Sequence, residues 1–487
     1  MKITVVFIFS LIFINFTLGQ INNRVEQALQ KLVNDPDLSS AAISFQAIDL
    51  LNDSIIAAYN PNMALPPAST IKLYTTAAAF ETLGPFYRPK TGLYIDGKID
   101  STGVLQGDLW IKGGGDPTLG SRFFEKEGEE RNFLKIWVDT ILALGVTEIK
   151  GRVIADGSDF GYEGAPEGWT WGDMGNYYGS GPSGCVLFDN MTYLSFHTSS
   201  KLNDTTTITC MQPHIEGLRI KNEVKTAKSR YDNAYIYGAP FSYDRFALGS
   251  LPFNQTNFKV KASIPDPEFL MAQELQYELG QYIDIEQPPI GVRAFYYDSI
   301  TTPDYKNKNL IYEHVGKSLN AIVYWTNMKS VNLYAEQLLC LMAYEKYTTG
   351  TTSNGVAFSQ HFWSPKVGSG LSISDGCGLS RKNASSAAHF TKMLAYMSRS
   401  NEFDNFKKTL PVAGKSGTLS RVCRGQVGSG RIFAKSGTMN RIKAYAGYVN
   451  SSSGKSIAFA IIVNNHTCSS SVLVKKFERI FNTMATY

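Results

Sequence analysis

The chain lacks the signatures of several large enzyme classes. It has no C-x-x-C, no HExxH and no other paired ligand spacing, and its six histidines are scattered. These gaps argue against zinc and iron–sulfur centres, so no metal and no cofactor is expected. There is no G-x-S-x-G elbow, which argues against an α/β-hydrolase. Runs of basic residues are missing too. The net charge of +5 is spread along 487 residues, a pattern unlike that of nucleic-acid binders. Beyond the first 16 residues no stretch is apolar enough to span a bilayer, which takes ~20 residues.

The start of the chain reads as an export signal. Lys2 precedes an apolar run over 3–16, and a small-residue site lies near Gly19-Gln20. Residues 1–19 are therefore expected to be removed and the mature chain exported, without a stable membrane span. No cysteine follows the run, so no lipid anchor is indicated. Export permits disulfides. Cys185, Cys210, Cys340, Cys377, Cys423 and Cys468 allow many pairings, and the sequence does not choose among them. The length suggests two to four domains.

What the chain does have is a serine and a lysine one helical turn apart. Ser69 and Lys72 lie in Ala64-Leu-Pro-Pro-Ala-Ser-Thr-Ile-Lys72, ahead of good helix formers that stop at Gly84-Pro85. Residues i and i+3 share a helix face, so the hydroxyl and the amine can meet. A serine needs a neighbouring base to become a nucleophile. A lysine serves as that base only when its charge is suppressed. S-x-x-K alone is a common accident. Two further motifs follow in order, Ser330-Val-Asn332 where a loop enters a helix, and Lys435-Ser436-Gly437-Thr438 on a strand leading into a hairpin.

The spacing of these motifs bears on domain organisation. From Lys72 to Ser330 is 330 − 72 = 258 positions. A structureless loop of that length is implausible. Strand patterns at 107–111, 149–155, 206–210 and 258–262 indicate inserted domains instead. Outside the insert, 21–33 reads as a helix, and 41–50 and 54–59 as a strand pair. Runs at 431–434, 443–449 and 456–463 read as three more strands. A last helix carries Leu473, Phe477, Phe481 and Met484 at helical spacing, expected as core. Two strands from the start and three from the end fit one antiparallel sheet.

The ordered triple resembles the signature of penicillin-binding proteins and serine β-lactamases. The chain is similar to the class C low-molecular-mass penicillin-binding proteins, the D-alanyl-D-alanine carboxypeptidase/endopeptidase family. The supporting segments are Gly107-Asp-Leu-Trp-Ile-Lys-Gly-Gly-Gly-Asp-Pro-Thr-Leu119, Asp375-Gly-Cys-Gly-Leu-Ser-Arg-Lys-Asn383 and Leu410-Pro-Val-Ala-Gly-Lys-Ser-Gly-Thr-Leu419. The resemblance implies an α/β (α+β) fold of the transpeptidase type, a five-stranded antiparallel sheet flanked by helices. It also implies two nested, mostly-β inserts. The expected division is catalytic 20–89 and 301–487, outer insert 90–184 and 251–300, nested insert 185–250.

The resemblance further implies a periplasmic hydrolase of peptidoglycan stem peptides, with β-lactam antibiotics as covalent inhibitors. Ser69 is the expected nucleophile and Lys72 the base, its charge held down by Lys435 and by poor solvation. Asn332 would bind the substrate amide and Ser330 relay a proton. Lys435 would be a fixed charge for the substrate carboxylate, beside Ser436, Gly437 and Thr438. Backbone N–H groups of Ser69 and Thr438 would form the oxyanion hole. Asp156, Phe160 and Arg381 are the expected contacts to a diamino acid side chain of the stem peptide, and Asn440 a further subsite residue. Cys377 departs from the family's serine.

Lys415-Ser-Gly-Thr418 is a second copy of the third motif. It lacks the glycine of a phosphate-binding loop and leads into a polar, glycine-rich stretch, so a structural role is expected. Two alternatives remain, a serine β-lactamase and a silent wall-binding protein. The large insert argues against the first, and the intact Ser69, Lys72, Ser330, Asn332 and Lys435 against the second.

Overall fold

The structure is a computed structural model and describes residues 23–294 and 303–487. The expected export signal lies outside the described residues. Five strands form one antiparallel sheet in the spatial order Ile432–Met439, Ile442–Asn450, Ser456–Asn464, Ala42–Asp49, Ile55–Tyr59. The middle strands are buried along nearly their whole length, because helices cover both faces.

On one face lie the helices Arg24–Val33 and Ser470–Ala485. Leu473, Phe477, Phe481 and Met484 are all fully buried there, as their spacing predicts. The Asn23 side chain caps the first helix by accepting from the N–H groups of Val25 and Glu26.

The other face carries the helices Lys72–Leu83, Leu319–Met328, Asn332–Tyr347, Thr352–Val367 and Ala387–Ser398. Lys72–Leu83 runs through the middle of this layer. Every residue from Lys72 to Phe80 is buried, so it shows no polar face. Tyr74 anchors it, edge-on to Trp363 at 5.6 Å and tilted on Phe390 at 4.9 Å. The helix ends at Gly84, whose φ of +78° continues poorly into a helix.

The insert has its own cores. A seven-stranded sheet includes Lys90–Ile99, Val104–Lys112 and Val153–Asp156, packed against the helices Asn132–Ala143 and Pro267–Leu279. Asn309–Val315 pairs with Lys90–Ile99 in this sheet. Gln255–Ser263 pairs with Met191–Thr198 in a second, smaller sheet. On these pairings we propose limits somewhat different from those read in the sequence. The nested unit then spans about 191–263, and the outer insert about 90–190 and 264–315. Strand partners distant in sequence account for the difference. All six cysteines, which lie among the described residues, are free thiols.

Candidate active site

Ser69 is presented by a sharp turn. Ala68 takes φ +47°, a left-handed conformation that costs a non-glycine residue of the order of 1 kcal/mol or more. The short helix Ala68–Ile71 then leads directly into Lys72–Leu83. Ser69 stays partly exposed while Lys72 is fully buried.

Three acceptors surround the Lys72 amine. Nζ lies 3.1 Å from Ser69 Oγ, 2.7 Å from Asn332 Oδ1 and 2.7 Å from the Cys377 carbonyl. Burial lowers the Lys72 pKa, against the opposing pull of Cys377, Asp375 and Glu336. A neutral amine has two N–H bonds and one lone pair. With its hydrogens on Asn332 and Cys377, the lone pair is left for the Ser69 hydroxyl.

Ser330 and Lys435 form the opposite wall. Lys435 Nζ donates to Ser330 Oγ at 2.9 Å and to the Ser436 carbonyl at 2.7 Å. Ser330 takes φ +59°, which turns its hydroxyl back from the start of the Asn332–Tyr347 helix. Lys435 is fully buried, and burial, Lys72 and Lys443 all press its pKa down. Burial beside two other lysines leaves its ammonium form poorly supported, and a carboxylate bound next to it would favour that form. Lys443 Nζ donates to Thr438 Oγ1 at 2.6 Å, and burial lowers its pKa to about 8. Lys443 is a second amine beside Thr438 and lies outside the three motifs.

The strand Ile432–Met439 is an edge strand that runs against the nucleophile turn. Glycine is required at 437, since a Cβ there would sit 2.5 Å from the Pro67 carbonyl and 3.1 Å from the Ser69 nitrogen. Thr438 follows it at the exposed lip. The second Lys-Ser-Gly-Thr copy packs alongside. Ser436 Oγ donates to Thr418 Oγ1 at 2.9 Å, and Val412 bridges to Phe433.

Behind Lys72 stands a layer the motifs did not reveal. Gly376 and Cys377 form a backbone bridge between two helices. Thr75 Oγ1 donates to the Gly376 carbonyl at 2.7 Å, and the Gly376 N–H donates to Glu336 Oε2 at 3.0 Å. Glu336 sits one turn after Asn332 and is fully buried, its other side facing the Cys377 thiol. Burial and Asp375 push its pKa up to about 8. Spacing offered a signal, because Asn332 and Glu336 are i and i+4 on one helix.

Glu336, Asp375 and Cys377 lie close enough together to suggest a metal trio. The Asp375 oxygens, however, are taken by N–H donors from Gly378, Asn383, Trp169 and Ser380. The donor set fits a loop anchor better than a cation site.

The insert reaches the site through Trp169 and Tyr178. The Trp169 indole donates to Asp375 at 3.0 Å, and the Tyr178 carbonyl accepts from Asn332 Nδ2 at 2.8 Å. Asp156 is buried and accepts from Tyr305 Oη at 2.6 Å and from the Ser158 N–H. Phe160 is buried against Cys340 and Leu341 and stacks on Tyr344 at 5.0 Å, more than two turns beyond Asn332. Asp156 thus meets partners of the insert itself, and Phe160 packs on the Asn332–Tyr347 helix beyond Asn332. Arg381 is exposed, three residues past Gly378, which abuts the nucleophile turn. Asn440 sits at the exposed tip of the hairpin, in a shallow hollow with His466 and Thr467.

The profile of the D-Ala-D-Ala carboxypeptidase 3 (S13) family matches residues 25–483. The chain belongs to this family. It is 24% identical over 465 residues to a D-alanyl-D-alanine carboxypeptidase of an Actinomadura species, covering 91% of this chain and 81% of that one. It is 25% identical over 469 residues to D-alanyl-D-alanine carboxypeptidase DacB of Haemophilus influenzae, covering 94% and 91%. The fold is that of penicillin binding protein 4 from Haemophilus influenzae, with a TM-score of 0.79 at 23% identity over 95% of this chain and 99% of that one. The S13 family assignment makes the chain a serine hydrolase with the expected fold class. Among the described residues no helix is long and apolar enough to cross a membrane.

Proposed function

We propose that this S13 enzyme cleaves the D-Ala-D-Ala end, or a D-Ala crosslink, of peptidoglycan stem peptides through an acyl-Ser69 intermediate. The observation that carries the reading is the convergence of Ser69, Asn332 and the Cys377 carbonyl on one buried amine. Neutral Lys72 takes the Ser69 proton as Oγ attacks the penultimate D-alanine carbonyl. The new ammonium is held by the same two acceptors that held its hydrogens. The carbonyl oxygen gains negative charge between the Ser69 and Thr438 N–H groups. The substrate carboxylate enters beside Lys435, Thr438 and Lys443. Its arrival favours Lys435 as ammonium, and Ser330 relays to the departing amine the proton that Lys72 took from Ser69, which leaves Lys72 neutral again to accept a proton from the incoming water. Asn332 orients the substrate amide. Water then releases the acyl group.

A complex of the Haemophilus influenzae protein with a novel β-lactam, similar to this chain at a TM-score of 0.73, supports covalent β-lactam binding here. We place the enzyme outside the cytoplasm, in the periplasm, because its proposed substrate is there. Arg381, at the cleft rim, is the proposed contact for a stem-peptide carboxylate.

Intact-mass analysis after brief exposure to benzylpenicillin tests the reading. One drug adduct on the Ser69 peptide is expected, absent in Ser69→Ala. Rapid drug loss without an adduct would indicate a β-lactamase, and intact drug without an adduct a silent binder.

A further inference from the structure

The nested unit carries half-exposed aromatic side chains aligned on one sheet face. Strands Asn233–Tyr237 and Asp244–Pro252 pair antiparallel, setting Tyr237 opposite Phe246 and Tyr235 opposite Leu248. Ile236 and Ala247, the alternate residues, are fully buried, so the other four share the outer face. Tyr235, Phe246 and Leu248 remain 47%, 43% and 38% exposed. Trp171 extends the row from the short helix Trp171–Met174. Its ring is 6.3 Å from Tyr237, inclined by 33°, and it is 53% exposed.

Two further observations bear on what covers this face. Two pairs of its flanking charges cancel, Lys221 with Glu223 at 3.0 Å and Arg219 with Asp244 at 2.8 Å, while Lys225 on the neighbouring strand donates to Thr205 Oγ1 at 2.6 Å. The centre of the face, Tyr235, Tyr237, Phe246 and Leu248, carries no charge, which suits a neutral ring better than an anionic headgroup or a phosphate backbone. The face is also continuous with the active site. Trp169, two residues before Trp171, holds Asp375, and the Tyr178 carbonyl holds Asn332. Ile236, between Tyr235 and Tyr237, donates its N–H to Asn176 Oδ1 at 3.0 Å, two residues before Tyr178.

We propose that this face binds the neutral sugar strand of peptidoglycan and holds it while the attached stem peptide enters the cleft. Pyranose rings present C–H faces that stack on aromatic rings, and tyrosine hydroxyls at the edge meet sugar hydroxyls. A stable dimer would need roughly 800 Å² per partner, far more than five side chains supply. The proposal rests on the carboxypeptidase reading, since only a glycan-linked substrate requires such a hold.

The test uses the full mature chain and a Trp171→Ala/Phe246→Ala variant. Co-sedimentation is measured with glycan strands stripped of stem peptides by an amidase. Hydrolysis of a soluble acyl-D-Ala-D-Ala peptide and acylation by benzylpenicillin are followed in parallel. Glycan binding is expected to weaken about tenfold in the variant, with peptide hydrolysis and acylation unchanged. Phe246→Tyr should keep binding near the wild-type level. Equal glycan binding by wild type and double variant would overturn the proposal. So would a variant defect confined to vesicle binding or to self-association. Glycan binding is read without turnover. Failure of the wild type to cleave the soluble peptide would therefore count against the carboxypeptidase reading alone.

Discussion

In the proposed mechanism Lys72 acts as the base because burial leaves its charge poorly supported and its lone pair faces Ser69. Its carbonyl partner at Cys377 is kept in place by Glu336, through the Gly376 N–H. Glu336 is a positioning residue in this arrangement. Glu336→Gln keeps an acceptor of the same shape and should acylate within a few-fold of wild type at pH 7, where the native carboxyl, at about 8, is mostly protonated. Above pH 8 the two should diverge. Wild-type Glu336 becomes a carboxylate, favours the Lys72 ammonium and shifts the acylation profile to higher pH, whereas the glutamine form does not. Glu336→Ala leaves a buried N–H unpaired, at about 1–3 kcal/mol, and should slow acylation about 10- to 100-fold with little change in KM. Stopped-flow acylation across pH 6–10 separates these outcomes. A glutamine profile superimposable on wild type would exclude electrostatic coupling between Glu336 and Lys72.

Among the elements, the edge strand and the nucleophile turn are a matched pair. Gly437 lets the strand approach Pro67 and Ser69, and Gly378, at φ +85°, lets the 375–380 loop approach Ala68 from the other side. Gly437→Ala should move the Thr438 N–H off the oxyanion position and lower acylation about 100-fold or more, as for a lost oxyanion donor. Thermal stability should fall only modestly, because the strand is at the sheet edge. Near-normal acylation with a clean fold would remove Thr438 from the oxyanion hole. The insert contributes through Trp169. Trp169→Phe keeps the ring and deletes the donor to Asp375, and should reduce kcat without preventing folding. An unchanged kcat would show that the insert does not steady the loop.

For the whole molecule, buried carboxyls set the pH response of stability. Burial raises Glu336 and Glu268 to about 8, from ordinary values near 4.5. Between those pH values the two folded carboxyls bind more protons than their unfolded counterparts, so their contribution to stability falls as pH rises from about 4.5 to 8. Lys72 and Lys435, whose pKa values are lowered, act in the opposite sense, so the carboxyl contribution is read as a difference: the Tm of a Glu268→Gln/Glu336→Gln variant relative to wild type should rise across that window. A difference that falls over the same interval would contradict this. The catalytic residues come from chain segments more than 250 positions apart, since Lys72 and Asn332 differ by 332 − 72 = 260. The sequence by itself determined which side chains gather at the candidate site, Ser69 with Lys72 and Asn332, and Ser330 with Lys435, as well as the five-stranded sheet and the core face of the last helix. Each depends on short-range periodicity or on a motif whose residue types the chemistry requires. Only the tertiary structure decided what surrounds them. Asp375, Trp169 and Tyr178 act through hydrogen bonds between segments distant in sequence, and Lys443 through burial beside Thr438, which leave no spacing to read, whereas Glu336 had one in its place four residues past Asn332. The sequence likewise left open how Asp156 and Phe160 pack: Asp156 accepts from Tyr305 inside the insert, whereas Phe160 lies on Cys340, Leu341 and Tyr344 of the Asn332–Tyr347 helix, because contacts between segments distant in sequence and not local pattern set which way a side chain faces.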